Sequence, residues 1–349
     1  MTTAMTIPFG VYFDLPAQKY HDDPALSQSG IKNLMVSPLT YWTNSAMNPD
    51  RDSTETPSMM IGSATHKRIL EGPARFVAEY AVTPNREDHP DAVDGADALR
   101  EVCRTLGVKI SGTIPEMCER ILDANPSAVL WPEIMRRFKA ESEDKIILKA
   151  DDGATINRMA AMVEGHPEAA FAFQGGFPEV SIFWPCPLTG VRLKARIDYL
   201  KPNAIVDLKT FANSKHFPIA HAVAMAVANY NLHVQAVFYI RAVKTARVMI
   251  KKGLIHGVSP DHPILQAIAD SKTTKFFFVF VETGDVNNVL IREFPGPKAL
   301  MYQTGQSEID RIITLYQSLR DKFGTTPWNV LHETRMLDDA EFPAWIFKG

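Results

Sequence analysis

The chain has 349 residues, 46% of them hydrophobic and 22% charged, and a formal net charge of −3. That length suffices for one large domain or two smaller ones with a substantial core, while the charge excludes the global basic field that advertises nucleic acid, so any DNA groove must be local or formed by assembly. No run of about 18 apolar residues and no charged-then-apolar leader occurs, which leads us to expect a cytoplasmic protein without a membrane helix or signal peptide.

In chain order, residues 24–46 open with serines able to cap a helix, continue through Ile31, Leu34 and Met35 at helical spacing, and meet Pro38 as a stop. A second helix is expected from near Ser58, with Ile61, Thr65 and Ile69 on a buried stripe and Gly62 and His66 sharing another. From Pro84 to about His166 the chain turns charged, helical and punctuated, which suggests an inserted helical subdomain. Phe177 to Trp184 is strand-like, and a hairpin follows over Val191 to Thr210. Ala220 to Met249 is expected as one long helix, Phe276 to Glu282 as a buried strand, and 298–323 as an amphipathic helix burying Ile309, Ile312, Ile313, Tyr316 and Leu319. Strands before and after long helices predict an α/β fold, a mixed sheet flanked by helices. The expected organisation is a helical part of the core at 1–83, the insert at 84–166, and the catalytic sheet with C-terminal helices at 167–349. Cys103, Cys118 and Cys186 show no C-x-x-C spacing, which argues against a disulfide framework or a zinc knuckle.

The hairpin carries the chemistry. If Pro202 and Asn203 form its loop, Lys201 faces Ala204, and counting back along both strands sets Asp198 opposite Asp207. Opposed carboxylates lie about 4.5–5.5 Å apart at Cβ and repel unless a cation sits between them. Lys209, two residues beyond Asp207, shares its strand face. Two carboxylates and an ammonium are a minimal kit for metal-assisted phosphodiester hydrolysis. An exposed hairpin with a surface salt bridge has the same D-x8-D-x-K spacing. Because Pro202 cannot take the positive φ of a type I′ turn, a slip by one residue would move Asp198 to the other face. His66 alone is the kind of histidine that a helix uses structurally. Beside two carboxylates it makes a mixed N/O site suited to Mg²⁺ or Mn²⁺, the nitrogen favouring Mn²⁺ somewhat.

G-x-x-x-H at Gly62 to His66, Asp198, D-x-K at Asp207 to Lys209, and then Gln235 with Tyr239 resemble the PD-(D/E)XK nuclease superfamily. Within it, LSQSGIKNLMVSPLTYW, MMIGSATHKRILEG, RIDYL…IVDLKT and YNLHVQAVFYIRA stand in the order of the RecE (exonuclease VIII) nuclease branch, with weaker similarity near Pro343, Ala344 and Trp345. The resemblance implies a restriction-endonuclease-like core, metal ligation by His66, Asp198 and Asp207, and Lys209 as the catalytic lysine. It also offers Glu179 as an additional acidic group, although a capped strand end is an equal reading there. Gln235 and Tyr239, one helical turn apart, match a glutamine motif that lines the site and approaches DNA; a polar seam of a packed helix is the alternative for Tyr239. Arg196 shares the Asp198 strand face and is a candidate for a DNA phosphate.

Within the insert, residues 98–122 resemble a SAP-type helix–extended–helix DNA-binding module. Glu116, Glu119 and Asp123 dilute its basic face, so a purely structural helical pair is an equal reading. The function implied is a Mg²⁺-dependent exodeoxyribonuclease, with Mn²⁺ able to substitute, that degrades one strand of a double-stranded DNA end, 5′ to 3′. It would act as a homo-oligomeric ring and pass single-stranded DNA to an annealing partner in recombination. The alternatives are a RecB-like single-strand nuclease, which with three cysteines would lack an iron–sulfur cluster, and a catalytically silent DNA-binding protein.

Overall fold

The structure is a computed structural model that describes residues 6–52, 54, 56–284, 286–330, 336, 338–341 and 346, and nine strands form among the described residues. The similarity near Pro343 to Trp345 lies outside the described residues. In chain order the strands are β1 (Gly10–Tyr12), β2 (Tyr80–Val82), β3 (Ile146–Leu148), β4 (Phe177–Pro185), β5 (Arg192–Leu200), β6 (Ala204–Ala212), β7 (Ile255–His256), β8 (Lys275–Thr283) and β9 (Val289–Glu293). Seven form one sheet in the order β7-β1-β4-β5-β6-β8-β9, while β2 and β3 pair separately. Neighbours run antiparallel except β1 with β7 and β6 with β8. The parallel β6/β8 pair needs a long crossover, which the helices Ile219–Asn229, Leu232–Lys251 and Pro263–Asp270 supply. The expected mixed sheet with flanking helices is therefore the observed architecture.

Each sheet face has its own core. On one, the Leu232–Lys251 and Leu300–Phe323 helices lay Val234, Val237, Ile309, Ile312 and Ile313 over Ile205, Phe276 and Phe280. On the other, the Pro57–His66 and Ala150–Gly165 helices bring Ala64, Ile156, Met159 and Val163 to Val206, Leu208, Val279 and Val281. β8 is thus apolar on both sides, as a central strand must be.

Two expectations change. The segment expected as one helix from Ala220 to Met249 is two, broken at Asn231, which holds the left-handed φ of 47° that asparagine tolerates better than most residues. The expected insert 84–166 divides by packing: Leu99, Cys103, Met117, Cys118, Ile121 and Leu130 build a small core of their own, whereas the Ala150–Gly165 helix belongs to the sheet. The same region contributes one three-residue strand, β3, which pairs with β2 in parallel. Residues 98–122 do form two helices, Ala96–Thr105 and Ile114–Ala124, joined by an extended link.

Candidate active site

The β5/β6 hairpin turns as its spacing predicts, with the Lys201 N–H donating to the Ala204 carbonyl at 2.8 Å. Leu200 pairs with Ile205 and Tyr199 with Val206, and the ladder then stops. One more step of that register would set Asp198 opposite Asp207. There a side chain replaces the backbone ladder: the Leu208 N–H donates to Asp198 Oδ2 at 2.9 Å. β6 meanwhile stays paired to β8 from Ala204 to Ala212. The two strands part at the two aspartates, and both helical layers reach into the gap.

From one layer comes His66, the last residue of its helix before the backbone widens into a π turn, Lys67–Glu71. Such turns are frequent at functional sites. His66 Nδ1 lies 3.6 Å from Asp198 Oδ2. Burial and the Lys209 charge lower the imidazole pKa, with Glu179 and Asp207 opposing, so the ring is neutral near pH 7 and keeps a lone pair for a metal. Glu179 sits on β4 between Pro178, paired with Tyr199, and Val180, paired with Ile197, so the register sets it across from Asp198. Its φ is 53°, a left-handed conformation that costs a non-glycine residue about 1–2 kcal/mol. Strain of this sort collects where function over-determines the backbone. Ligand atoms of His66, Glu179 and Asp198 all lie within 4.8 Å of one another.

From the other layer Gln235 reaches Asp207, its Nε2 donating to Oδ1 at 2.7 Å. Asp207 is fully buried. Its Oδ2 lies 2.6 Å from Lys209 Nζ, a close ion pair that ties the two side chains together. Burial pushes the Asp207 carboxyl up to about 6 against the pull of Lys209, with Asp198 adding to the rise. Burial likewise pushes Asp198 to about 6, with Lys209 opposing and Glu179 reinforcing. Burial works against the Lys209 ammonium, but Asp207 and Asp198 outweigh it and raise its pKa, so it stays charged.

A neutral imidazole and two carboxylates brought together against their repulsion, with the buried Asp207 carboxylate beside them, are a donor set that fits a divalent cation. The grouping differs from the expected His66, Asp198 and Asp207: Glu179 completes the tight cluster, and Asp207 stands beside it, held by Gln235 and Lys209.

Two expected DNA contacts have protein partners in this structure. Arg196 shares the Asp198 face, but its guanidinium is ion-paired with Glu179 and donates to Leu15 O at 2.9 Å and Ser181 Oγ at 3.0 Å, so it is committed to the protein. Tyr239 is 5% exposed, its ring centroid 6.5 Å from that of Phe276; it packs beneath the site. Sequence reasoning missed Lys32, whose Nζ donates to Gln235 Oε1 at 3.3 Å. Its only signal was a cationic residue between the buried Ile31 and Leu34.

A solved structure from Eubacterium rectale, described as a "Putative exonuclease", is similar over 90% of this chain and 88% of its own at 12% identity, with a TM-score of 0.47. No curated protein matches. Residues 27–278, more than half of the chain, match the family described as "PDDEXK-like domain of unknown function (DUF3799)", and the chain belongs to that family.

Proposed function

We propose that the protein is a divalent-metal-dependent nuclease, and more narrowly an exodeoxyribonuclease that shortens one strand at a double-stranded DNA end. The observation that carries the nuclease reading is the parting of β5 and β6 at Asp198 and Asp207, with His66 and Glu179 gathered at the gap and Lys209 beside them. The family's PDDEXK-like description supports it. Duplex ends, 5′ to 3′ polarity, a ring of identical subunits and a single-strand annealing partner rest on the RecE resemblance.

In this reading His66, Glu179 and Asp198 would hold Mg²⁺ or Mn²⁺, with the Asp207 carboxylate beside them. The bound cation supplies Lewis acidity and a more acidic bound water. Lys209, kept charged by its carboxylate neighbours, orients the attacking water and stabilises charge growing on the phosphate. Asp207 anchors Lys209, and Gln235 anchors Asp207. The attacking water gives up a proton to solvent as its oxygen forms the new bond to phosphorus, the bridging P–O bond breaks, and the leaving oxygen takes a proton from solvent.

Linear duplex labelled at either end, incubated with Mg²⁺ or Mn²⁺, is the direct test. Wild type should release the 5′ label first, and Asp207→Ala and Lys209→Ala should each lose about a hundredfold or more in rate. No metal-dependent release, or undiminished release by both variants, would sink the proposal. Calorimetric titration with Mn²⁺ separates the silent DNA-binding reading: wild type should bind and Asp198→Asn should bind weakly, whereas equal heats favour the silent protein.

A further inference from the structure

Lys32 lies on the Gln28–Val36 helix, partly buried, at the opposite end of Gln235 from Asp207. The order of groups is Lys32 Nζ, Gln235 Oε1 at 3.3 Å, Gln235 Nε2, Asp207 Oδ1 at 2.7 Å, and Lys209 Nζ at 2.6 Å from Asp207 Oδ2. Two ammonium groups therefore converge from two elements on one carboxylate and one amide. Asp207 is engaged by Lys209. Among the described residues, the one hydrogen bond of Lys32 goes to a neutral amide oxygen, at the long end of the range.

A desolvated ammonium without an anionic partner of its own is costly. Burial and then the Lys209 charge bring the Lys32 pKa down to about 8, with Asp207 offsetting part of the drop. The same ammonium, after burial, lowers the pKa of His233 on the Leu232–Lys251 helix. Glu308 opposes that lowering at His233, but among the described residues Lys32 itself makes no ion pair. Neutral Gln235 cannot supply the missing negative charge. An incoming phosphodiester can.

We propose that Lys32 is a substrate-positioning residue, whose ammonium exchanges its contact with Gln235 for a non-bridging phosphate oxygen of DNA entering the site. This rests on the nuclease reading and names a substrate contact within it. Released from Lys32, Gln235 keeps its bond to Asp207, so substrate capture and the catalytic carboxylate become linked through one amide.

The experiment compares wild type, Lys32→Met and Lys32→Arg for binding of a fluorescent duplex end by anisotropy over a salt series. Ca²⁺, which takes the same oxygen ligands, replaces Mg²⁺, and cleavage is measured separately in Mg²⁺. Lys32→Met should bind about tenfold more weakly, with the slope of log affinity against log salt shallower by about 1, because one phosphate contact is lost. Lys32→Arg should retain the slope. A structural role for Lys32 would not move the slope, and melting of each variant confirms folding; if Lys32→Met does not fold, Lys32→Gln takes its place. Unchanged affinity and slope in Lys32→Met, with wild type still cutting, overturn this inference alone. A wild type that neither binds nor cuts duplex overturns the nuclease reading with it.

Discussion

Asp198 and Asp207 hold their protons up to about pH 6 in the folded chain because both are buried and each stands near another carboxylate. Unfolded, an aspartate gives up its proton near pH 4. Between those values the folded state binds more protons than the unfolded one, so the contribution of these groups to stability falls as pH rises from about 4 to 6 and is flat above. A divalent cation reverses the penalty by favouring the ionised carboxylates, and must displace their protons at low pH. The increase in Tm on adding Mn²⁺ should therefore be larger at pH 7.5 than at pH 5. An equal increase at both, read by differential scanning fluorimetry, would show that the cation does not bind these carboxylates. Gly62 gives a second test at this scale. It lies one helical turn before His66, and a Cβ built there meets no protein atom within 4 Å. Gly62→Ala should thus stabilise the helix by about 1 kcal/mol. If DNA occupies the open face beside His66, the variant should nonetheless cut more slowly, a combination that separates a substrate cost from a folding cost.

Elements differ in how legible they were. The hairpin could be read because its loop, register and face rule are all local: Lys201 meets Ala204, and Lys209 lies on the Asp207 side. The last helix buries the five expected residues because a period of 3.6 needs no partner to be seen. What escaped was set by distant partners. β1 and β7, three and two residues long, exist only through pairing with each other and β4, and no short window announces them. Lys32 escaped for the same reason, since Gln235 is 203 positions away. The break at Asn231 was readable from its residue type but was masked by apolar positions on either side. The Leu232–Lys251 helix depends on one further contact for its placement. Gly305 faces it so closely that a Cβ would stand 2.9 Å from His233 O and 3.1 Å from Val237 Cγ2. Gly305→Val should cost about 1–3 kcal/mol by overpacking, visible as a lower midpoint in urea. Because the helix that must shift also carries Gln235, cleavage should fall further than the unfolded fraction explains.

At the scale of the whole molecule, the question is where a chain of net charge −3 grips a polyanion. The helical insert has a core separate from both faces of the sheet. Its arginines are largely engaged at home: Arg100 with Asp97, Arg104 with Glu101, and both Arg136 and Arg137 with Glu133. Arg120 donates to the Ser111 and Glu116 carbonyls and ties down the link between the two helices. Phosphate binding by this module would break ion pairs that already exist, so its net gain would be small. The insert leaves and rejoins the core beside the β2/β3 pair, where the Thr83 N–H donates to the Leu148 carbonyl at 2.9 Å, so a flexible linker from Thr83 to Ile146 would join neighbouring strands. Replacing residues 84–145 by such a linker should leave cooperative unfolding and Mn²⁺ binding intact, with cleavage of a short labelled duplex within about tenfold of wild type. The salt slope of DNA binding should change by less than about 1. A slope shallower by about 2 or more would instead place DNA phosphates on the insert, and the SAP-like reading of residues 98–122 would then hold over the structural one.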